Sequence, residues 1–304
     1  MTKKNMSKAL VKKTVRASVK VAVAPHSLVP KTPSTPSFKT VLTKAKLLPP
    51  TRSGWNIGEG LEHLVKADTR FLDIIATYGV PEALLSTQPV DAAGLPFPIP
   101  TGSSEECYFS LLKTIIYQQL SIKAAEPILN RFVQSFGVAS GEALQPHIVK
   151  TAKFEQAVID GKRKTLLNGV VSGLSESKAK YITDLTEHFL DPTKLQNVNL
   201  SALSDEELRA KLLAVKGLGP WSVDMFMMFD LHRGNVLPVG DLIVRRGIAQ
   251  FHGLPDKHFE VKKNFLTIEK LCDKWAPYSS LAACYMWKIV AASRAAKKEK
   301  GGEE

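Results

Sequence analysis

The residues best suited to chemistry stand in one stretch, Leu212 to Gly247, which reads LLAVKGLGPWSVDMFMMFDLHRGNVLPVGDLIVRRG. Within it, Lys216-Gly217-Leu218-Gly219-Pro220 separates two helical patterns, and one isolated acid, Asp241, follows about twenty residues later. The amides of Leu218, Gly219 and the helix beginning at Pro220 are expected to point outward without partners. Such amides cradle a phosphate without reading bases. A phosphate grip joined to a lone carboxylate suggests chemistry on DNA. Each half also has a plainer reading: the hairpin as an αα-corner with a glycine C-cap, and Asp241, ahead of Leu242-Ile243-Val244, as a helix N-cap.

The flanking elements must hold these groups. Leu203, Leu208, Leu212, Leu213 and Val215 recur at roughly helical spacing, with Ser204 and Glu207 forming a capping box and a stop expected at Lys216. After Pro220, a second helix carries Val223, Phe226 and Met227 on one face. Leu61, Leu64, Val65, Leu72 and Ile75 mark one amphipathic helix, and Tyr108, Leu111, Leu112, Ile115 and Ile116 another. Further helical patterns run through 124–136, 151–158, 176–189, 261–275 and 279–295, and alternating strand patterns are scarce. The expected fold class is all-α.

Val215-Lys216-Gly217-Leu218-Gly219-Pro220-Trp221-Ser222 with Leu237-Pro238-Val239-Gly240-Asp241-Leu242 resembles the signature of the helix-hairpin-helix, Gly/Pro-Asp DNA glycosylase superfamily, nearest its 3-methyladenine DNA glycosylase II branch. Ile115-Ile116-Tyr117-Gln118-Gln119-Leu120-Ser121 with Lys123-Ala124-Ala125 resembles the family's DNA-wedge junction. Gly173-Leu174-Ser175 with Lys178-Ala179, and Trp275-Ala276-Pro277-Tyr278 with Trp287, resemble two further segments. The similarity covers about Asn56 to Ser293. It implies a two-lobed helical fold, with a central lobe from about Glu105 to Val223 beside one built of the early helix and the C-terminal helices, and a cleft between them.

The resemblance also assigns roles. Asp241 would stabilise the positive charge that builds on the sugar as a damaged base departs, and would orient or deprotonate the water that captures it. Lys216, Gly217, Leu218 and Gly219 would hold the phosphate, with a monovalent cation at the hairpin and no metal or organic cofactor in the chemistry. Gln119, Leu120 or Ser121 would fill the gap left by the extruded nucleotide. Trp221, Met225 and Trp287 would line the base pocket, where indole stacking on a cationic alkylated purine contributes about 0.5–2 kcal/mol. Apart from the resemblance, Arg245 and Arg246 are further candidates for DNA contact, on a face they could share with Lys288. Relatives that also cut the strand carry a lysine where this chain has Trp221, so a monofunctional hydrolase is expected. Met225 and Ser279 depart from the family's pocket aromatic and arginine. The expected substrates are 3-methyladenine and 7-methylguanine. The alternatives are a glycosylase for oxidised or mismatched bases, or a non-catalytic helix-hairpin-helix module that detects damaged DNA.

Charge is localised. Twelve of the 41 Lys and Arg, and none of the 29 acids, fall between Met1 and Gly58, so the remaining bases balance the acids and the excess of +12 sits in that segment. With its Pro, Ser and Thr, residues 1–55 read as a disordered basic arm ahead of a glycosylase domain over 56–293 and a charged tail over 294–304. The arm adds salt-sensitive DNA affinity, and its Lys3-Lys4 to Lys12-Lys13 cluster suits nuclear import; an acid-free start also suits an organelle transit peptide. Cys107, Cys272 and Cys284 are too few and too spread for a disulfide framework, a zinc cluster or the four-cysteine iron–sulfur loop of some relatives. Damaged duplex DNA is the expected partner, with downstream abasic-site repair proteins; no membrane association and a monomer are expected.

Overall fold

The computed structural model describes residues 35–84, 104–138, 143–255 and 265–300. Its helices are α1 Phe38–Lys46, α2 Ile57–Ala67, α3 Phe71–Tyr78, α4 Ser104–Tyr117, α5 Ile122–Gln134, α6 Pro146–Val149 and α7 Glu176–Leu190. They continue with α8 Asp205–Leu213, α9 Pro220–Met225, α10 Leu242–Phe251, α11 Phe265–Cys272 and α12 Ser279–Lys300. A small antiparallel sheet lies between α6 and α7, with β1 Phe154–Ile159, β2 Lys162–Leu167 and β3 Val170–Val171 in that order. The fold is therefore helical, as expected, with one sheet that helical periodicity did not anticipate.

The helix expected over 151–158 is replaced by β1. Asp160-Gly161 and Asn168-Gly169 fill the two turns with positive φ at every position (51°, 70°, 50° and 83°), the geometry that lets a two-residue loop match strand twist. The single helix expected from Leu61 to Ile75 is broken, because Asp68 takes an extended conformation and its side chain accepts from the Arg70 amide at 3.0 Å. The basic segment folds earlier than expected. Ser37 caps α1, which buries Val41 and Ala45 against α2 and α3, so 35–55 is ordered structure, and residues 1–34 lie outside the described part. At the other end α12 runs on through Lys300 rather than giving way to a tail at 294.

Two groups of helices share one continuous apolar core. In the central group, α4 buries Tyr108, Leu111, Leu112, Ile115 and Ile116 and packs on α5 and α7. The other group joins distant parts of the chain: α10 lies along α12, and α12 also meets α2 and α3. Its centre is aromatic, with Phe71 4.8 Å from Phe251, 5.7 Å from Trp275 and 6.2 Å from Tyr285, ring centre to ring centre. Gly247 sets how close α10 and α12 come: a Cβ there would stand 2.5 Å from the Met286 carbonyl oxygen and 2.6 Å from its Cβ, so only hydrogen fits at the crossing. No helix among the described residues is long and apolar enough to cross a membrane.

Candidate active site

Asp241 is the N-cap of α10, and its position follows from that role. Its Oδ1 accepts from the Ile243 and Val244 amides at 2.7 and 2.9 Å, satisfying two donors the helix leaves unpaired. The carboxylate has a second set of partners from outside the helix. Trp221 Nε1 donates to Oδ2 at 2.8 Å, and Trp287 Nε1 reaches Oδ1 at 3.3 Å. Indole is a donor only, so both rings engage the carboxylate as an acceptor. Capping and an exposed carboxylate face therefore coexist, since Asp241 itself remains partly exposed.

The loop before Asp241 is shaped from two sides. Asp241 N donates to the Pro238 carbonyl at 2.9 Å, closing a tight turn through Val239 and Gly240. The start of α12 holds the loop's other end: Ser280 Oγ donates to the Arg233 carbonyl at 2.6 Å and accepts from Val236 N at 2.9 Å, and Ser279 Oγ donates to Asn235 Oδ1 at 2.7 Å. Ser279, a departure from the family pattern, is thus buried structural support here. Arg245 is also structural and not a DNA contact. It is 5% exposed, donates Nη1 to the Val239 carbonyl at 2.7 Å, and burial lowers its pKa against the opposing pull of Asp241. The reason lies in helix phase, which turns Arg245 inward with Val244 and Ile248 while Arg246 stays partly exposed and Lys288 exposed.

The hairpin departs from expectation in two ways. Leu218 is 4% exposed and its amide donates to the Val215 carbonyl at 3.2 Å, so it is spent on the turn and does not point outward. Lys216 is held by α7: its amide donates to Asp184 Oδ2 at 2.8 Å and its ammonium lies 3.2 Å from Oδ1. Burial would raise the Asp184 pKa, but these Lys216 contacts outweigh it and lower the value. The preceding helix α8 has the expected capping box of Ser204 and Glu207 and stops at Leu213, three residues early, because the turn at Val215 has already begun. Gly217 is required where it stands, with φ +90° and the Tyr181 ring 2.3 Å from any Cβ. Gly219 is different. Its φ of −93° suits any residue and a Cβ would meet nothing within 4 Å, so it heads α9 with no side-chain cap and an open approach. The carbonyls of Val215 and Gly217 each accept one hydrogen bond, from Leu218 N and Gln118 Nε2, and these two oxygens are the ones that would hold a monovalent cation at the turn.

The expected wedge segment adjoins this turn. Gln118 Nε2 donates to the Gly217 carbonyl at 2.7 Å, tying the α4–α5 junction to the hairpin, and Lys178 Nζ donates to the Ile116 and Gln118 carbonyls at 2.7 and 2.8 Å. Burial lowers the Lys178 pKa. Gln119 then takes φ +60°, and Gln119, Leu120 and Ser121 are all exposed. Leu120 is 40% exposed, an apolar side chain lifted away from the core at the turn.

Of the pocket candidates, Trp221 is 45% exposed while Met225 and Trp287 are half-buried. Sequence reasoning missed Phe229. It lies one helical turn beyond Met225, on the π-helical turn Phe226–Asp230 that continues α9, and its ring centre is 5.8 Å from that of Trp287. Spacing of four residues from Trp221 through Met225 to Phe229 was the available signal.

Comparison with known proteins identifies relatives of the chain. Residues 112–276 match the family model for the HhH-GPD superfamily base excision DNA repair protein. DNA-3-methyladenine glycosylase 1 of Schizosaccharomyces pombe is 33% identical over 184 residues, covering 60% of this chain and 72% of that protein. DNA-3-methyladenine glycosylase of Saccharomyces cerevisiae is 27% identical over 211 residues, covering 61% and 67%. The crystal structure of DNA-3-methyladenine glycosidase from Bacillus halodurans superposes with a TM-score of 0.54 at 29% identity, covering 76% of this chain and 88% of that one. By the family match, which spans the wedge junction, the hairpin and Asp241, the chain belongs to the HhH-GPD superfamily of base excision DNA repair proteins.

Proposed function

We propose that this protein is a DNA glycosylase that hydrolyses the N-glycosidic bond of alkylated purines, 3-methyladenine and 7-methylguanine among them, in duplex DNA. The observation that carries the reading is the Asp241 carboxylate held between helix amides and two indoles. Oδ1 takes three donors and Oδ2 takes one, so Oδ2 keeps a lone pair for a water or for the sugar. A fixed carboxylate beside the ring lowers the barrier as positive charge develops there, at no cost of reorganisation.

The remaining residues serve that step. The π-faces of Trp221, Phe229 and Trp287 suit a cationic, electron-poor purine, which already has a labile bond. Leu120 is the wedge that occupies the vacated stack, its position fixed by Gln118 and Lys178. Gly219 leaves the start of α9 open to a phosphate, which a monovalent cation on the hairpin carbonyls would help neutralise. No lysine stands at position 221, so base release should leave an abasic site in an unbroken strand. Downstream abasic-site repair proteins, a monomeric state and a nuclear location directed by the basic N-terminal segment belong to the same proposal.

The test is incubation of the purified protein with methylated duplex DNA, with released bases identified by mass spectrometry and strand integrity followed on a denaturing gel. Free 3-methyladenine with an intact strand is the expected result. Asp241→Asn keeps the cap, since Asn caps as well as Asp, and should cut base release by at least about 100-fold with folding unchanged. Retained activity in that variant refutes the mechanism. Binding to an abasic analogue without base release by the wild type refutes the enzyme and favours a damage sensor.

A further inference from the structure

We propose that the β1–β2 hairpin is a second DNA-backbone contact, a lateral clamp on the duplex several nucleotides from the lesion. The proposal rests on the glycosylase reading for its ligand and on separate residues for its evidence. The hairpin is anchored at one end only. Thr165 and Leu167 are buried, Phe154 stacks on Phe132 of α5 with ring centres 6.5 Å apart, and Asn168 Nδ2 donates to the Ser135 carbonyl at 3.1 Å. Towards the Asp160-Gly161 turn the burial ends: Val158 is 75% exposed, and Lys162 and Arg163 are exposed. The pairs Val158 with Arg163 and Ile159 with Lys162 make up this projecting end.

Its charge suits a polyanion. Lys162, Arg163 and Lys164 are consecutive, and no carboxylate lies within ion-pair distance of Lys162 among the described residues. Lys164, itself half-buried, pairs with the exposed Asp160 at 3.5 Å, and the exposed Arg163 with Glu176 at 3.8 Å, both long contacts that a phosphate can displace cheaply. A bare surface strand edge is usually kept soluble by lysine, but three consecutive bases at a tip are more than that requires.

Position decides the ligand. Arg163 meets Glu176 in the first turn of α7, and two residues further along that turn Lys178 holds the Gln118 carbonyl at the wedge junction. With about 1.5 Å rise per residue and side-chain reach on both sides, the tip lies within roughly 20 Å of the wedge. Phosphates follow each other at about 3.4 Å per strand, so the tip falls within about six nucleotides of the flipped base. The site reads no bases and adds grip alone.

The experiment measures salt dependence of binding to a 24-base-pair duplex with a central abasic analogue, for the full chain and for the triple variant K162A/R163A/K164A. Each lost phosphate contact lowers the slope of log Kd against log salt by about 0.9, so loss of two or three contacts lowers it by about 2 to 3, with single-turnover base release at saturating DNA unchanged. Phosphate-ethylation interference on the wild type is the second measurement, independent of any variant's folding. It should show a cluster about four to six nucleotides from the lesion, separate from the contacts that flank it. A slope within about 0.5 of wild type, or interference confined to about three nucleotides around the lesion, overturns the clamp while leaving the glycosylase reading intact. Wild type that fails to bind the duplex at low salt overturns both.

Discussion

Replacing Gly247 with alanine should reverse the usual sign of that substitution. Within an exposed helix, Gly to Ala stabilises by about 1 kcal/mol through propensity and unfolded-state entropy. Here the new Cβ would lie 2.5 Å from the Met286 carbonyl oxygen, against an ordinary contact of 3.4 Å or more, so α10 and α12 must separate by about 0.9 Å. Overpacking of this kind costs about 1–3 kcal/mol, a net melting shift of several degrees downward for a domain of this size. The separation acts directly on the site. Trp287 follows Met286 on α12, and its 3.3 Å hydrogen bond to Asp241 at the head of α10 would lengthen beyond bonding range. Misplacement by about 1 Å can cost about 100-fold in rate, so single-turnover base release should fall by about 10- to 100-fold. Affinity for undamaged duplex should hold, because the hairpin packs on α7 and α8 instead. Differential scanning fluorimetry, single-turnover kinetics and duplex binding on one preparation decide it. A raised melting temperature, or wild-type base release in a destabilised variant, refutes the argument that this crossing positions the site.

Other perturbations separate grip, chemistry and stability. Trp221→Phe keeps an aromatic face but removes the 2.8 Å hydrogen bond to Asp241, and a bond to a charged group is worth about 1.5–3 kcal/mol. Base release should fall by about 10- to 100-fold with little change in melting temperature, as the side chain is 45% exposed. Gly217→Ala places a methyl against the Tyr181 ring at φ +90° and should weaken undamaged-duplex binding while destabilising the fold by about 1–3 kcal/mol; unchanged affinity would dissociate the hairpin from DNA. Acid should destabilise the protein through His252. Burial and the neighbouring Arg70 lower its pKa from 6.5 to about 4, so the unfolded chain binds more protons between those values, and this stabilising contribution, whole above pH 6.5, is lost as pH falls towards 4. In His252→Gln the drop in melting temperature between pH 7 and pH 5 should shrink, and an unaltered drop would assign the acid sensitivity elsewhere.

What could be read in the sequence followed local rules. The Ser204–Glu207 capping box, the turn at Gly217 and the helix start after Asp241 depend on neighbours a few residues away, and the structure has all three. The misses have two origins. Asp160-Gly161 and Asn168-Gly169 were legible hairpin turns, hidden because the apolar residues of 151–158, ahead of the first turn, also suited a helix. Lys216 and Ser279 took their roles from long-range partners, Asp184 and Asn235, which no periodicity reveals, whereas Arg245 was turned inward by the phase of its own helix onto the nearby Val239 carbonyl. Helix α1 was obscured by charge: lysines cover its outer face while Val41 and Ala45 supply a narrow apolar stripe.

The clasp of Ser279 and Ser280 on the loop before Asp241 bears on the order in which the protein forms during synthesis. The central helices from α4 to α9 find most of their partners within their own span, and a ribosome releases them early. The carboxylate loop emerges next, yet its anchors lie about forty residues downstream. Helices α2 and α3, made before the central helices, wait for the same helix α12. A nascent chain would therefore hold a folded phosphate grip before it holds a finished catalytic loop, with the faces of α2, α3 and α10 that meet α12 uncovered until α12 has been made. Any truncation before Trp287 would stop it there.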